Sequence, residues 1–208
     1  MWVRSPPPAR LRRSARRALH AKATLPEGCA PRKASSLNDK PTRPEKPLYY
    51  CQIALAVAAR GTCLRRNFGA VITNEDMAEI VSTGYVGAPR KMQNCIDRGS
   101  CLRDELGVPQ GSQYELCRSV HAEMNAIIHA ARRQMVRGHL FLACVDAKTG
   151  GILQNAEPCK LCKRMIINAG ITDVFVLVAP DKYRRFDVAQ DWVAHESEIF
   201  EIPSGNGY

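Results

Sequence analysis

The sequence predicts an α/β fold, a three-layer α/β/α sandwich built on a mixed five-stranded sheet. Two observations predict it. A β-rich hairpin opens the domain, and helical segments then alternate with single strands, a pattern typical of helices packed on both faces of one sheet. The chain has 208 residues, of which 45% are hydrophobic, so it can bury a sizeable core.

The individual elements follow from apolar periodicity and from the residues that interrupt it. Gly61 ends the first helix, Pro158 precedes the third, and Gly170 ends it. Residues 87–117 show no clear periodicity, and loops of that length are usually functional or anchored. The predicted elements are a helix at 49–60, strands at 68–73 and 80–85, a helix at 121–132, a strand at 140–145, a helix at 159–168, a strand at 173–178, a short helix at 188–195 and a weak strand at 198–202.

The positive charge is concentrated at one end of the chain. Residues 1–48 hold 12 of the 30 Lys and Arg residues but 3 of the 20 acidic ones, so the rest of the chain is nearly neutral. We therefore expect residues 1–47 to form a disordered basic N-terminal extension and residues 48–208 to form the folded domain. The extension could be an organellar presequence, an arm attracted to nucleic acid, or a dispensable segment.

Nine cysteines make metal binding a central question. The N-terminus has no apolar core of a secretory signal, and no apolar run approaches the roughly 18 residues of a membrane span. We therefore expect a cytoplasmic location, or an organellar one if a presequence is present, with reduced thiols and no membrane partner. Reduced cysteines at close spacing are more often metal ligands than disulfides.

One pair of motifs predicts the chemistry. His121 and Glu123 open one predicted helix, and Cys159 and Cys162 open another after Pro158. One imidazole and two thiolates suit Zn²⁺ and leave a fourth position for water, and H-x-E followed by P-C-x-x-C is typical of zinc nucleobase deaminases. We predict His121, Cys159 and Cys162 as metal ligands and Glu123 as the catalytic acid and base. Taken singly, each residue has an ordinary structural interpretation, and the two cysteines alone could belong to a closed structural zinc site.

Four segments resemble the deoxycytidylate deaminase family, within the cytidine deaminase superfamily: residues 63–72, 83–90, 117–128 and 158–170. The resemblance implies a cytidine deaminase-like fold in which the fourth and fifth strands run parallel across a helix. It also implies zinc-dependent conversion of dCMP to dUMP and ammonia, and a homo-oligomer. It assigns His121, Cys159 and Cys162 to zinc and Glu123 to proton transfer.

The predicted substrate contacts are less regular. The family usually has Asn where this chain has Val86, and valine cannot hydrogen-bond to a sugar. The neighbouring Tyr85 still fits the family loop. Arg65, Arg66 and Arg90 are candidates for the phosphate, because a guanidinium binds phosphate through two donors, although each could equally be a solvated surface residue.

A second metal is a further prediction. Some relatives carry a structural zinc near the positions of Cys63 and Cys95, and Cys101 and Cys117 could complete a tetrahedral set that anchors the aperiodic loop. The alternative is four ordinary reduced thiols.

Three functions stay open at this stage. The first is an enzyme that deaminates a pyrimidine nucleotide, dCMP foremost, or another nucleoside or base. The second is a nucleic-acid-editing deaminase that uses the basic extension, which the near-neutral domain makes the weaker choice. The third is a non-catalytic zinc protein with the same fold, against which the intact Glu123 argues.

Overall fold

Five strands form a mixed sheet at the centre of the protein, for which a computed structural model describes residues 43–109 and 111–200. The strand order is β2-β1-β3-β4-β5. Strands β3 and β4 run parallel, and the other neighbours run antiparallel. This confirms the mixed five-stranded sheet. The strands are β1 (Arg66–Thr73), β2 (Ile80–Tyr85), β3 (His139–Asp146), β4 (Asp173–Ala179) and β5 (Lys182–Asp187).

Burial along the strands explains their position in the sheet. The central strands β1, β3 and β4 are nearly continuous apolar runs and are buried on both faces over most of their length. Strand β2 alternates between buried and exposed residues, and β5 is largely exposed, as expected of edge strands with one covered face. The sequence therefore places the three most hydrophobic strands where helices cover them from both sides.

The helices surround this sheet. They are α1 (Lys46–Ala58), α2 (Cys95–Arg98), α3 (Leu102–Glu105), α4 (Ala122–Ile128), α5 (Arg132–Met135), α6 (Lys160–Ala169) and α7 (Glu196–Phe200), with a 3₁₀ turn at Tyr114–Leu116 and a π-helical segment at Val188–Val193. The loop 87–117 thus contains three short helical segments that its lack of periodicity did not predict.

Two separate cores make the structure a three-layer sandwich. On one face α1 packs on side chains of β1, β3 and β4 that include Phe141 and Phe175. On the other face α4 and α6 pack on the alternate residues of the same strands, among them Ile72 and Leu142. Because side chains alternate along a strand, one sheet supplies both cores. The predicted α/β/α layering is confirmed.

The end of the sheet differs from the prediction. Strand β5 was missed because Lys182, Arg184 and Arg185 break any apolar alternation. It follows β4 after a tight turn and runs antiparallel to it, so the parallel pair is β3 and β4, joined through α6. The implied parallel arrangement of a fourth and fifth strand is wrong. The strand predicted at 198–202 is also wrong where it is described, because Glu196–Phe200 is helical.

The predicted helix at 121–132 is interrupted. Helix α4 ends at Ile128, and Ala131 has an extended backbone, with φ −78° and ψ 137°. The Gln134 side chain accepts a hydrogen bond from the Ala131 amide, which caps the start of α5. The predicted end of α6 is confirmed, because Gly170 has a left-handed φ of 82°.

The predicted extension falls mostly outside the described residues. The described part belongs to a unit that begins at Arg43, and α1 begins at Lys46, two residues before the expected domain start at 48. The disorder predicted for residues 1–47 stays a prediction. No helix within 43–109 or 111–200 is long and apolar enough to cross a bilayer.

Candidate active site

Two helix starts bring the predicted metal ligands together. His121 is the N-cap of α4, and Cys159 is the N-cap of α6. A pair of backbone hydrogen bonds between Val120 and Gly87 fixes the chain just before His121 to the end of β2. Cys162 lies one turn into α6, and its backbone amide donates to the Cys159 sulfur at 3.5 Å.

The ligand atoms have the spacing that one metal ion requires. His121 Nδ1 lies 3.5 Å from the Cys159 sulfur and 3.4 Å from the Cys162 sulfur, and all three ligand atoms lie within 4.8 Å of one another. In a tetrahedral zinc site with ordinary bond lengths, a nitrogen and a sulfur ligand are about 3.5 Å apart. The three residues therefore fit Zn²⁺ in both chemistry and spacing. Among residues 43–109 and 111–200 this is the only group of three or more His, Cys, Asp or Glu side chains that meets the distance.

Hydrogen bonds among these three side chains shift their pKa values. A hydrogen bond from Cys162 lowers the pKa of the Cys159 thiol to about 4, and the same bond raises the pKa of Cys162. Burial lowers the pKa of His121, but hydrogen bonds to Cys117 and Cys159 outweigh it and raise that pKa to about 10. A metal would bind these three side chains by displacing the protons that they carry.

Glu123 lies beside this cluster and is almost completely buried, with 3% of its surface exposed. Its carboxyl group hydrogen-bonds the Cys162 side chain. Burial raises the pKa of Glu123, and the nearby His121 charge opposes that rise. A buried carboxyl group that is not itself in the ligand cluster can take up and release a proton beside it.

The cluster opens into a cavity of about 430 Å³. His121, Glu123 and Cys159 line it, and so does Val86. A cavity of this volume is in the range of small-molecule sites. The wall also carries six basic side chains, namely Arg65, Arg66, Arg103, Arg118, Lys160 and Lys163. The cavity therefore suits a small ligand that carries negative charge.

The predicted substrate contacts divide into two groups. Arg65 and Arg66 line the cavity as expected. Arg65 is 3.3 Å from Asp104, so it already has an acidic partner. Tyr85 and Arg90 are not among the described residues that line the cavity, and the Tyr85 ring instead packs under the Arg60 guanidinium. Contacts from Tyr85 and Arg90 to a substrate stay predictions.

Cys63 and the three cysteines of the 87–117 loop reach the same cavity without forming a ligand cluster. Cys63, Cys95, Cys101 and Cys117 all line its wall. No three of their sulfurs meet the spacing found at His121, and the Cys117 thiol is instead a hydrogen-bond partner of the His121 imidazole. The second zinc stays a prediction, and it would need these sulfurs to move closer together.

Sequence reasoning missed two residues of the cavity wall that the loop folds inward. The Tyr114 ring meets the His121 ring edge to face at 5.2 Å, and Arg103 lies over Tyr114 at 4.9 Å. Arginine is rarely buried, and neither residue belongs to a periodic pattern. The only available signal was the length of the loop.

Comparisons with known proteins place these motifs in a family. The family model described as "Cytidine and deoxycytidylate deaminase zinc-binding region" matches residues 44–178. The chain is 31% identical over 142 residues to deoxycytidylate deaminase of Schizosaccharomyces pombe, covering 68% of this chain and 40% of that protein. It is 32% identical over 138 residues to deoxycytidylate deaminase of Mycobacterium phage D29, covering 64% of this chain and 94% of that protein.

The two yeast relatives are much longer than the matched region. The chain spans 40% of the Schizosaccharomyces pombe protein and 37% of the Saccharomyces cerevisiae one. Among solved structures, dCMP deaminase of the cyanophage S-TIM5 aligns with a TM-score of 0.43 at 23% identity, covering 65% of this chain and 84% of that one. The family model covers well over half of the chain and includes both motifs, so this protein belongs to the cytidine and deoxycytidylate deaminase family.

Proposed function

We propose that this protein is a zinc-dependent hydrolase that removes the amino group of a pyrimidine nucleotide, with dCMP as the preferred substrate and dUMP and ammonia as products. One observation carries the proposal: the buried Glu123 carboxyl group lies beside the cluster of His121, Cys159 and Cys162 and lines the same cavity. The relatives named above are deoxycytidylate deaminases, which supports dCMP over other amino-bearing bases.

The three ligands and Glu123 have separate roles: the ligands hold the metal, and Glu123 transfers protons. Zinc held by three protein ligands supplies a hydroxide near neutral pH. In this chain His121, Cys159 and Cys162 would hold it, and the backbone amide of Cys162 helps fix the Cys159 sulfur. Two of the three ligands come from one rigid helical turn, so their spacing does not depend on a flexible loop.

Glu123 moves the protons. As a carboxylate it accepts the proton of the attacking water, and as a carboxylic acid it donates that proton to the ring nitrogen next to the amino-bearing carbon. Glu123 then takes the remaining proton from the hydroxyl group now on that carbon and passes it to the amino group, so that the carbon–nitrogen bond breaks, ammonia leaves and a carbonyl forms. Burial raises the pKa of Glu123, and this favours the protonated form that these donations require.

The wall of the cavity supports a nucleotide. Basic side chains outnumber acidic ones along it, and the phosphate of a nucleotide is the charged group that they would attract. The apolar Val86 in the wall offers no hydrogen bond to a sugar hydroxyl, so we expect weaker discrimination between deoxy and ribo substrates than an asparagine would give. We also expect a homo-oligomer.

A substrate panel with the purified full-length chain tests this function. We expect ammonia release from dCMP at a higher kcat/KM than from CMP, deoxycytidine, cytidine, an adenine nucleotide or a cytosine-containing oligonucleotide. The proposal is wrong if neither dCMP nor CMP releases ammonia. Activity on the oligonucleotide that falls steeply with salt would favour the editing alternative instead.

Metal analysis of the same preparation tests whether zinc binds only at the cluster that contains Cys159 and Cys162 or also at the second set of cysteines. The geometry leads us to expect one zinc per chain, held by His121, Cys159 and Cys162. A count of two that falls to one in Cys101→Ser would show that the second set gathers around an ion. Chelation of the zinc should abolish turnover, and added zinc should restore it.

A further inference from the structure

Arg103 is a buried cation held in a fixed position. Only 7% of the residue is exposed, and its Nη2 atom donates to the carbonyl oxygens of Pro109 at 2.8 Å and of Ser112 at 2.7 Å. Its Nε atom is buried and has no hydrogen-bond partner among the described residues. Because nearly all buried polar atoms in proteins are paired, an unpaired donor on a buried cation requires an explanation.

The charge of Arg103 has no acidic partner within residues 43–109 and 111–200. The adjacent Asp104 pairs with Arg65 at 3.3 Å, and Glu157 pairs with Lys163. The two carbonyl oxygens that Arg103 contacts are neutral, and the Tyr114 ring that it covers adds only a cation–π contact. A buried charge is costly unless an opposite charge compensates it, so this arrangement suits a protein that receives an anion.

The position of Arg103 indicates where that anion would lie. Arg103 lines the same cavity as the ligand cluster, and a single aromatic ring, that of Tyr114, separates its guanidinium from the His121 imidazole. In a nucleotide the sugar likewise separates the phosphate from the base. With its reactive carbon beside Glu123, a nucleotide would therefore direct its phosphate toward the wall that holds Arg103.

We propose that Arg103 binds the 5′-phosphate and makes the cavity selective for nucleotides over nucleosides. This assignment rests on the proposed deaminase function. Both donors of Nη2 are used by the loop carbonyls, which fix the guanidinium plane, and the donors of Nη1 make no hydrogen bond with a described residue. They are the donors that the phosphate would use, and charge-assisted bonds of this kind are among the stronger ones in proteins.

The test compares one substrate with and without its phosphate. In Arg103→Gln we expect kcat/KM for dCMP to fall roughly 10-fold to 100-fold, mainly through KM, whereas kcat/KM for deoxycytidine stays within about threefold of wild type. Arg103→Lys keeps the charge and should lose less. Arg98→Gln is the matched control, because Arg98 is an exposed residue of the same loop that does not line the cavity, and both substrates should be unaffected.

Several results would overturn the assignment. Equal losses on dCMP and deoxycytidine would give Arg103 a structural role, and an unchanged kcat/KM for dCMP would remove it from the phosphate site. If Arg103→Gln does not fold, Arg103→Lys and inorganic phosphate decide. Phosphate should inhibit deoxycytidine deamination by wild type and should inhibit the lysine variant more weakly, and equal inhibition of the two would contradict the proposal.

A failure of the proposed function would look different. Wild-type protein would then release ammonia from neither dCMP nor deoxycytidine. Inorganic phosphate would still raise the Tm of wild type more than that of Arg103→Lys if Arg103 binds anions, and an equal rise would refute the anion site independently of any turnover.

Discussion

Helices cover both faces of the sheet, but the two faces have different roles. On the α1 face, aromatic rings fill the core: Phe141 stacks on Phe175 at 5.1 Å, and Tyr50 and Tyr183 extend the cluster. On the α4 and α6 face, mostly aliphatic side chains pack in the core together with Trp192, and the helix starts meet at the ligand cluster. One face is closed by packing, whereas the other remains open at one end as a cavity.

The difference follows from where the helices begin. The α1 helix crosses its face alone, with Pro47 in its first turn and Glu45 as its N-cap, and Glu45 belongs to no cluster of possible metal ligands among the described residues. Helices α4 and α6 begin side by side, with His121 and Cys159 as their N-caps, and they pack against each other. A site can form where two chain segments converge at the edge of a core, because there polar side chains contact one another without losing all access to solvent.

Glu123 lies on the α4 face of the sheet, and its replacement should lower activity more than any other change considered. In Glu123→Ala we expect kcat for dCMP to fall by about 10²-fold to 10⁴-fold, because the acid and base of the reaction is removed. Zinc content should remain at the wild-type value, since Glu123 is not in the ligand cluster. The measurements are initial rates and metal analysis on the same sample.

The control for this variant is Glu115→Ala, since Glu115 is an exposed acid of the same loop that does not line the cavity. It should keep wild-type kcat. Turnover by Glu123→Ala at the wild-type rate would show that another group transfers the protons, and loss of its zinc would show that Glu123 supports the metal instead.

A matched pair of buried cysteines tests whether zinc binding depends only on residues of the α4 and α6 face. Cys162 on α6 and Cys51 on α1 are both completely buried. Cys162→Ser should lose most of its zinc and its activity, because a thiolate ligand is replaced by a hydroxyl group. Cys51→Ser should keep its zinc and lose about 1–3 kcal/mol of unfolding free energy, since it places a hydroxyl group in the aromatic core.

Metal analysis and urea unfolding distinguish these outcomes. Burial raises the pKa of Cys51 to about 12, so this thiol stays protonated at neutral pH and is a poor metal ligand. Zinc loss in Cys51→Ser without unfolding would mean that the two faces are coupled more tightly than their separate cores indicate.

The parts of the fold that the sequence predicted are those in which one residue pattern decides the structure. Strand β2 occupies its predicted residues 80–85, and Gly170 ends α6 where expected. Strand β5 could not be found in this way, because its exposed arginines hold the edge through backbone pairing with β4 and ion pairs such as Arg185 with Asp173. Those interactions are made with β4, so the residue pattern of β5 taken alone does not predict them.

The site residues also divide into those that a local pattern predicts and those that only tertiary contacts determine. His121, Glu123, Cys159 and Cys162 each lie within three residues of a helix start, so local spacing predicts that Cys159 and Cys162 lie on one face of a helix. That this pair meets His121 was predicted by the combined motif. Arg103 and Tyr114 enter the cavity because a loop folds back and its carbonyl oxygens capture a guanidinium. Such a contact is set by the tertiary path of the loop, and no periodicity in residues 87–117 encodes it.

Two glycines allow the two faces to be compared through the smallest change, because each lets the helix of one face approach the sheet closely. A Cβ atom on Gly84 would lie 2.3 Å from the Ala122 carbonyl oxygen of α4, and one on Gly69 would lie 2.2 Å from the Ala54 carbonyl oxygen of α1. Both obstacles are backbone atoms, so the helix itself must shift. We expect Gly84→Ala and Gly69→Ala each to cost about 1–3 kcal/mol of unfolding free energy, measured by urea denaturation.

Their effects on catalysis should differ. Ala122 lies between His121 and Glu123, so a shift of α4 moves a ligand and the proton carrier together, and Gly84→Ala should lower kcat even at temperatures where it is fully folded. Gly69→Ala displaces only α1, which contributes no residue to the cavity, and its kcat should match wild type. Equal losses of kcat in the two variants would mean that the sheet transmits a displacement of one helix to the other, and the two cores could then no longer be treated as independent.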